Sequence, residues 1–123
     1  MFINCLLKSV RWLRNDSIGQ TYQSAEGMPG EAMMSYYEKI QRQCLDAWSL
    51  LLRYEVDPAH PVQVSRLATQ LFDSLIPVHH LGLLERNLLE CAALLHDLGM
   101  LISEKRHHKH IMRMILNADM PSF

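Results

Sequence analysis

His60, His96, Asp97, His107 and His108 are the residues of this chain whose types and placing best suit a metal ion. Imidazole nitrogen and carboxylate oxygen are ordinary ligands for divalent transition metals, and a carboxylate also suits Mg²⁺ or Mn²⁺. His96 and Asp97 arrive side by side near the end of a largely apolar run, "LLECAALLHDLGM", Leu88 to Met100. Burying ionisable groups without partners costs several kcal/mol, so a solvated position or a compensating partner is expected there. A cation held by neutral imidazoles and an ionised carboxylate stabilises those groups and removes the penalty at Asp97. His60 lies one turn before Val64, on the apolar face of its helical stretch. His107 and His108 precede Ile111 by four and three residues, so both can follow the last apolar stripe toward the same interior. Taken singly, each of these histidines is more simply a core or capping residue. Together, drawn from three helices, they point to a site for Mn, Mg, Fe, Ni or Zn, with Asp97 as the candidate catalytic carboxylate. His79 and His80 fall in a connection and read as loop.

A second cluster is basic. Lys105, Arg106, Lys109 and Arg113 lie close together and alternate with His107, His108 and His110. Beside a metal, Lys105, Arg106, Lys109, His110 and Arg113 would hold the anionic oxygens of a phosphate-containing ligand. Alone, the cluster is a solvated helix start partly balanced by Glu104. Nucleophilic catalysis lacks support, because Cys91 sits within the apolar run and neither a G-x-S-x-G elbow nor a Walker-type glycine loop occurs.

The elements that must position these residues are helical. "MFINCLLKSVRWLRN" carries an apolar stripe (Phe2, Cys5, Leu6, Val10, Leu13) with Lys8, Arg11 and Arg14 off it. That pattern predicts an N-terminal amphipathic helix packed on the body or on a partner. Asn15 to Gly30 is polar, holds three of the five glycines and reads as a linker. From Glu31 the chain places Met33, Tyr36 or Tyr37, Ile40, Cys44, Ala47 or Trp48, Leu51 and Leu52 at helical steps. Asp57-Pro58 starts a second helix, since Asp57 can cap free amides and Pro58 suits a first turn. Val64, Leu67, Ala68, Leu71, Phe72 and Leu75 are expected inward on it, and Pro77 is expected to end it. A central buried helix runs from about Leu83, with Glu85, Arg86, Asn87 and Glu90 on its outer face at the start. Gly99 is placed to end or bend that helix. A last helix, about Arg106 to Asn117, turns Ile111, Met114, Ile115 and Ala118 inward. No stretch alternates as a strand does, so the fold class is all-α: residues 1–30 as N-terminal helix and linker, and residues 31–123 as one helical domain.

Composition agrees. The 123 residues suit one compact domain, and 49% hydrophobic with 20% charged content supports a buried core. A formal net charge of -1 gives no general attraction to DNA or to an anionic membrane. Three cysteines, odd in number and without C-x-x-C spacing, argue against a disulfide framework and a thiolate zinc site and fit a reducing cytoplasm. No window reaches the length of a transmembrane helix, and no secretory signal is present.

From about Tyr54 to Phe123 the sequence closely resembles the C-terminal helical domain of the exopolyphosphatase / guanosine pentaphosphate phosphatase (Ppx/GppA) family, part of the HD superfamily. The pieces that carry the resemblance are "RYEVDPAHPVQVSRLATQLFDSL", "LGLLERNLLECAALLHDLGMLIS", "HHKH" and "ILNADMPSF". "AALLHDLG" followed by "HHKH" at this distance is the specific part. The resemblance implies a compact HD-like bundle in which His60 is the first metal histidine, His96-Asp97 the paired ligands, and "HHKH" a cluster able to add ligands. It further implies metal-dependent phosphohydrolase chemistry on a phosphate-rich ligand such as polyphosphate or a nucleotide.

Three departures qualify that implication. Only Asp119 follows "HHKH", in the position of the family's "NAD" loop, so a distal metal-binding aspartate is missing. Ile111 replaces a small hydroxyl residue. The family continues with further helix beyond "NADMPSF", so a reduced or fragmentary form is expected. The actin-like catalytic domains of the family are absent, and with them its main active site. Two functions follow: a domain binding a divalent metal, a phosphate-rich ligand or both, with weak or no turnover; or a non-catalytic module acting through a homodimer or by packing on phosphatase domains.

Overall fold

The computed structural model describes residues 29–123; the expected N-terminal amphipathic helix lies outside the described residues. Five α-helices and one short 3-10 helix make up the described chain, with no strand among the described residues, as the all-α expectation requires. They are α1 (Gly30–Arg53), α2 (Ala59–Ser74), α3 (Ile76–His79), α4 (Leu83–Leu95) and α5 (His107–Asn117), with the 3-10 helix at Leu98–Leu101 between the last two. No helix among the described residues is long and apolar enough to cross a membrane.

Helix α4 is the centre. Its Cys91, Leu94 and Leu95, with Leu98 just beyond, meet Cys44, Ala47, Trp48, Leu50 and Leu51 of α1 and Met114 of α5 in the main core. Ile111, Ile115 and Ala118 pack against the same core, so the inward face expected for the last helix is the one found. Burial of each large apolar side chain contributes roughly 1.5–3 kcal/mol. A smaller core joins Ile40 of α1 to Leu83, with Phe72 and Ile76 alongside. Burial pushes both thiols, Cys44 and Cys91, up to about 12, which leaves them as inert apolar fillers.

Helix α2 begins as expected, with the Ala59 N–H donating to Asp57 Oδ1 at 3.0 Å. Its inward face is not the expected one. Pro61, Ser65 and Thr69 are its buried residues, whereas Leu67, Leu71 and Leu75 are 51%, 62% and 42% exposed. The small residues at four-residue steps let α2 lie close against α4, its most extensive partner. The Thr69 hydroxyl donates to the carbonyls of Ser65 (2.9 Å) and Arg66 (3.1 Å), so no polar group is stranded in that tight contact. Close approach by small residues therefore displaced the larger apolar row. Pro77 does not follow a helix end directly: α2 stops at Ser74, and Pro77 lies at the start of the one-turn α3.

The outer face expected for the start of α4 is also corrected. Arg86 and Asn87 are buried, each 5% exposed, and only Glu85 points fully to solvent. Arg86 forks onto Asp73 of α2 through Nε (2.7 Å) and Nη2 (2.9 Å) and reaches Glu90 through Nη1 at 3.4 Å. Asn87 Nδ2 donates to Gln43 Oε1 of α1 at 3.0 Å. Burial raises the Glu90 carboxyl above its usual range; Arg86 pulls it down and Asp73 adds to the rise.

The chain's last residues return to α1. Gln43 Nε2 donates to the Ser122 carbonyl at 3.1 Å, and the Ser122 N–H donates to Asp46 Oδ2 at 3.1 Å.

Candidate metal centre

α4 ends at Leu95, and its last turn holds His96 in place. The ring Nδ1 lies 2.7 Å from the carbonyl of Ala93, one of the carbonyls a helix end leaves without a backbone partner. A carbonyl only accepts, so Nδ1 carries the proton and Nε2 is left to face outward. That nitrogen stands 3.0 Å from Asp97 Oδ2. From the start of α2, His60 brings its own Nε2 to 3.2 Å from the same oxygen. The two imidazole rings are 5.5 Å apart between centroids. One ligand atom from each of His60, His96 and Asp97 falls within 4.8 Å of the others.

The site is open rather than buried: the His60 side chain is 66% exposed, Asp97 39% and His96 36%. The apolar run before His96 thus delivers its two ionisable residues to the rim of the core, where water reaches them. Two nitrogens can share one carboxylate oxygen either by each donating an N–H to it or by holding a cation between them. The N₂O donor set fits Mn, Fe, Ni or Zn, and the exposed side leaves room for further ligands.

His107 and His108, expected to extend the ligand set, are not among the three residues gathered there. His107 instead uses Nδ1 on the Glu104 carbonyl at 3.2 Å, and its ring lies 6.0 Å from that of His108. Their helix is nevertheless seated on the turn after Asp97. A methyl group built on Gly99 would strike the carbonyl oxygen of His107 and come within 3.0 Å of the Ile111 nitrogen, so only glycine permits this contact.

Lys105, Arg106, Lys109 and Arg113 are exposed and His110 half-buried. Arg106 precedes α5 in the left-handed region (φ 61°), no side chain caps the helix, and its first turn holds no acid. Cations gathered at the positive end of a helix are in the unfavourable place unless an anion joins them. Asp119, the acid after "HHKH", is exposed and outside the three-residue set. His79 belongs to the scaffold: its Nε2–H donates to the Phe72 carbonyl at 2.8 Å, and its Nδ1 accepts the Leu81 N–H at 2.9 Å. Sequence reasoning missed the part played by Ala93, although a histidine following a helix's last turn always has a free carbonyl three residues back.

A family model described as Ppx/GppA phosphatase, domain III, matches residues 45–123. The chain belongs to the Ppx/GppA phosphatase family. It is similar to the guanosine-5'-triphosphate,3'-diphosphate pyrophosphatase of Aeromonas hydrophila, 38% identical over 76 residues, covering 61% of this chain and 15% of that one. The Aeromonas salmonicida protein of the same description is 37% identical over 76 residues, with the same shares covered. The chain therefore spans about 15% of the length of these curated Ppx/GppA relatives. No solved structure matches it significantly.

Proposed function

We propose that this Ppx/GppA domain is an HD-type module that holds a divalent cation with His60, His96 and Asp97 and draws a phosphate-rich anion to the basic start of α5. The observation that carries this reading is the convergence of three ligand atoms, from α2 and from the end of α4, within 4.8 Å. The uncapped, basic first turn of α5 supports the anion, and the relatives' printed description, a pyrophosphatase of a guanosine polyphosphate, supports its phosphate character. A bound cation would supply Lewis acidity at an anionic oxygen. The residues' own work is to orient: Ala93 fixes the His96 tautomer, Asp97 supplies the negative charge, and Lys105, Arg106, Lys109, His110 and Arg113 collect the ligand. His107 and His108 stand as reserve donors on the helix seated against Gly99.

Protein purified without added metal is expected to carry Mn, Fe, Ni or Zn at close to one per chain, and to lose it in His96→Ala. Hydrolysis of bis-p-nitrophenyl phosphate, polyphosphate or guanosine pentaphosphate is expected to be weak or absent, because among the described residues no further aspartate joins the three ligands. Vigorous turnover abolished by Asp97→Ala would make the site catalytic. A second reading rests on the same geometry: with each imidazole donating an N–H to it, Asp97 serves as a polar clasp between α2 and the end of α4. Metal-free protein whose stability is unchanged by chelator would favour that clasp.

A further inference from the structure

The closing turn of the chain builds a concave surface that shares no residue with the metal-binding set or with the basic start of α5. Gln43 and Asp46 hold the carbonyl and the N–H of Ser122 against α1, and the Phe123 N–H donates to the Met120 carbonyl at 3.2 Å. Between this turn and the helix lies a groove of about 330 Å³, lined by Ser35, Glu38, Lys39, Arg42, Pro121 and Ser122. Ser35, Lys39 and Arg42 follow one another at four- and three-residue steps and so share one face of α1. Gln43 and Asp46 stand four residues beyond Lys39 and Arg42. The wall they fix is in place before any ligand arrives, so binding need not order it.

The lining residues hold more donors than they have acceptors for. Among the described residues Lys39 has no ion-pair partner, and the hydroxyls of Ser35 and Ser122 make no hydrogen bond. Arg42 meets Glu38 at 3.8 Å, with the two side chains 71% and 56% exposed. A contact that long between side chains in water holds Arg42 only weakly. Two cations and two hydroxyls therefore stand against one carboxylate. A guanidinium fork and an ammonium both suit phosphoryl oxygens, and hydroxyls donate to the same atoms. Pro121 is the one apolar lining residue, so the groove offers little to a ligand with an apolar body. Its volume, at the small end for a ligand site, sets the size of the guest.

We propose that this groove binds a small oxyanion of the phosphate class, inorganic phosphate or a phosphomonoester, through Lys39, Arg42 and the hydroxyls of Ser35 and Ser122. The test titrates the full, ¹⁵N-labelled chain with inorganic phosphate at constant ionic strength and follows each amide by NMR. Saturable shifts are expected at residues 35, 38, 39, 42 and 122, a set read separately from residues 105–113 of the basic turn. Lys39→Ala and Arg42→Ala are each expected to raise the dissociation constant read at that set by about tenfold, as loss of a charge-assisted hydrogen bond does. Both side chains are exposed, so the fold is not at stake. Glu38→Gln removes the competing carboxylate and is expected to tighten binding by about twofold. Weaker binding in Glu38→Gln would mean that the carboxylate grips an ammonium group, as it would in an amino-acid zwitterion, and would overturn the proposal. Shifts that never saturate, or that leave residues 35–42 and 122 unmoved, would overturn it equally.

Discussion

His60 Nε2 meets Asp97 Oδ2 at 3.2 Å and thereby ties the first turn of α2 to the residue just beyond α4. The same oxygen meets His96, so the carboxylate is the hinge of the whole set. If it holds a cation, Asp97→Asn keeps the shape and removes the charge. Titration calorimetry with Mn²⁺ or Zn²⁺ is expected to show affinity weakened by at least about 100-fold, above the effect typical of losing a mere orienting partner. His60→Ala is expected to weaken binding similarly without unfolding the domain, since that side chain is mostly in water.

Arg86 holds Asp73 and Glu90 from a position 6% exposed at the side chain. Arg86→Met removes the guanidinium from both carboxylates. Breaking a buried pair costs on the order of 3–5 kcal/mol, and the partial exposure of Asp73 places the expected loss at the lower end. Urea unfolding of the two proteins measures it; a loss below 1 kcal/mol would mean that solvent already compensates the pair.

Glu90 gives a pH signature. Burial, with Asp73 adding to it against Arg86, raises its folded carboxyl above the ordinary 4.5. Between that value and the raised one, the folded chain binds more protons than the unfolded chain, so this group makes stability fall as pH rises through the window. Glu90→Gln is expected to flatten that fall. Urea midpoints collected from pH 4.5 upward, compared between the two proteins, would show parallel curves if the shift were absent.

Gly99→Ala forces its new methyl group onto the His107 carbonyl. Since the obstacle is backbone, α5 must move, at a cost of about 1–3 kcal/mol. The expected readout is a lowered Tm together with weaker retention of polyphosphate, because the basic turn shifts with its helix.

Much of this was legible in the sequence, and the misses have physical causes. Periodicity located the helices, and His60, His96 and Asp97, singled out by residue type and by the family resemblance, are gathered at one point. Periodicity misjudged α2 because it weighs size: Leu67, Leu71 and Leu75 look like a core row, yet Ser65 and Thr69 decide how near two helices approach. Arg86, Asn87 and Glu90 looked solvated by type alone, since a single sequence does not reveal that Asp73 and Gln43 wait opposite. His107 and His108 share the expected helix, but the seat at Gly99 governs where that helix starts, and contact between distant backbone atoms leaves little trace in residue types.

The grip of Gln43 and Asp46 on Ser122 has a bearing on architecture. Residue 122 is thereby fixed beside residue 45, where the family match begins. Any segment that followed Phe123 would therefore leave from the side of α1, with its starting direction set by Gln43 and Asp46.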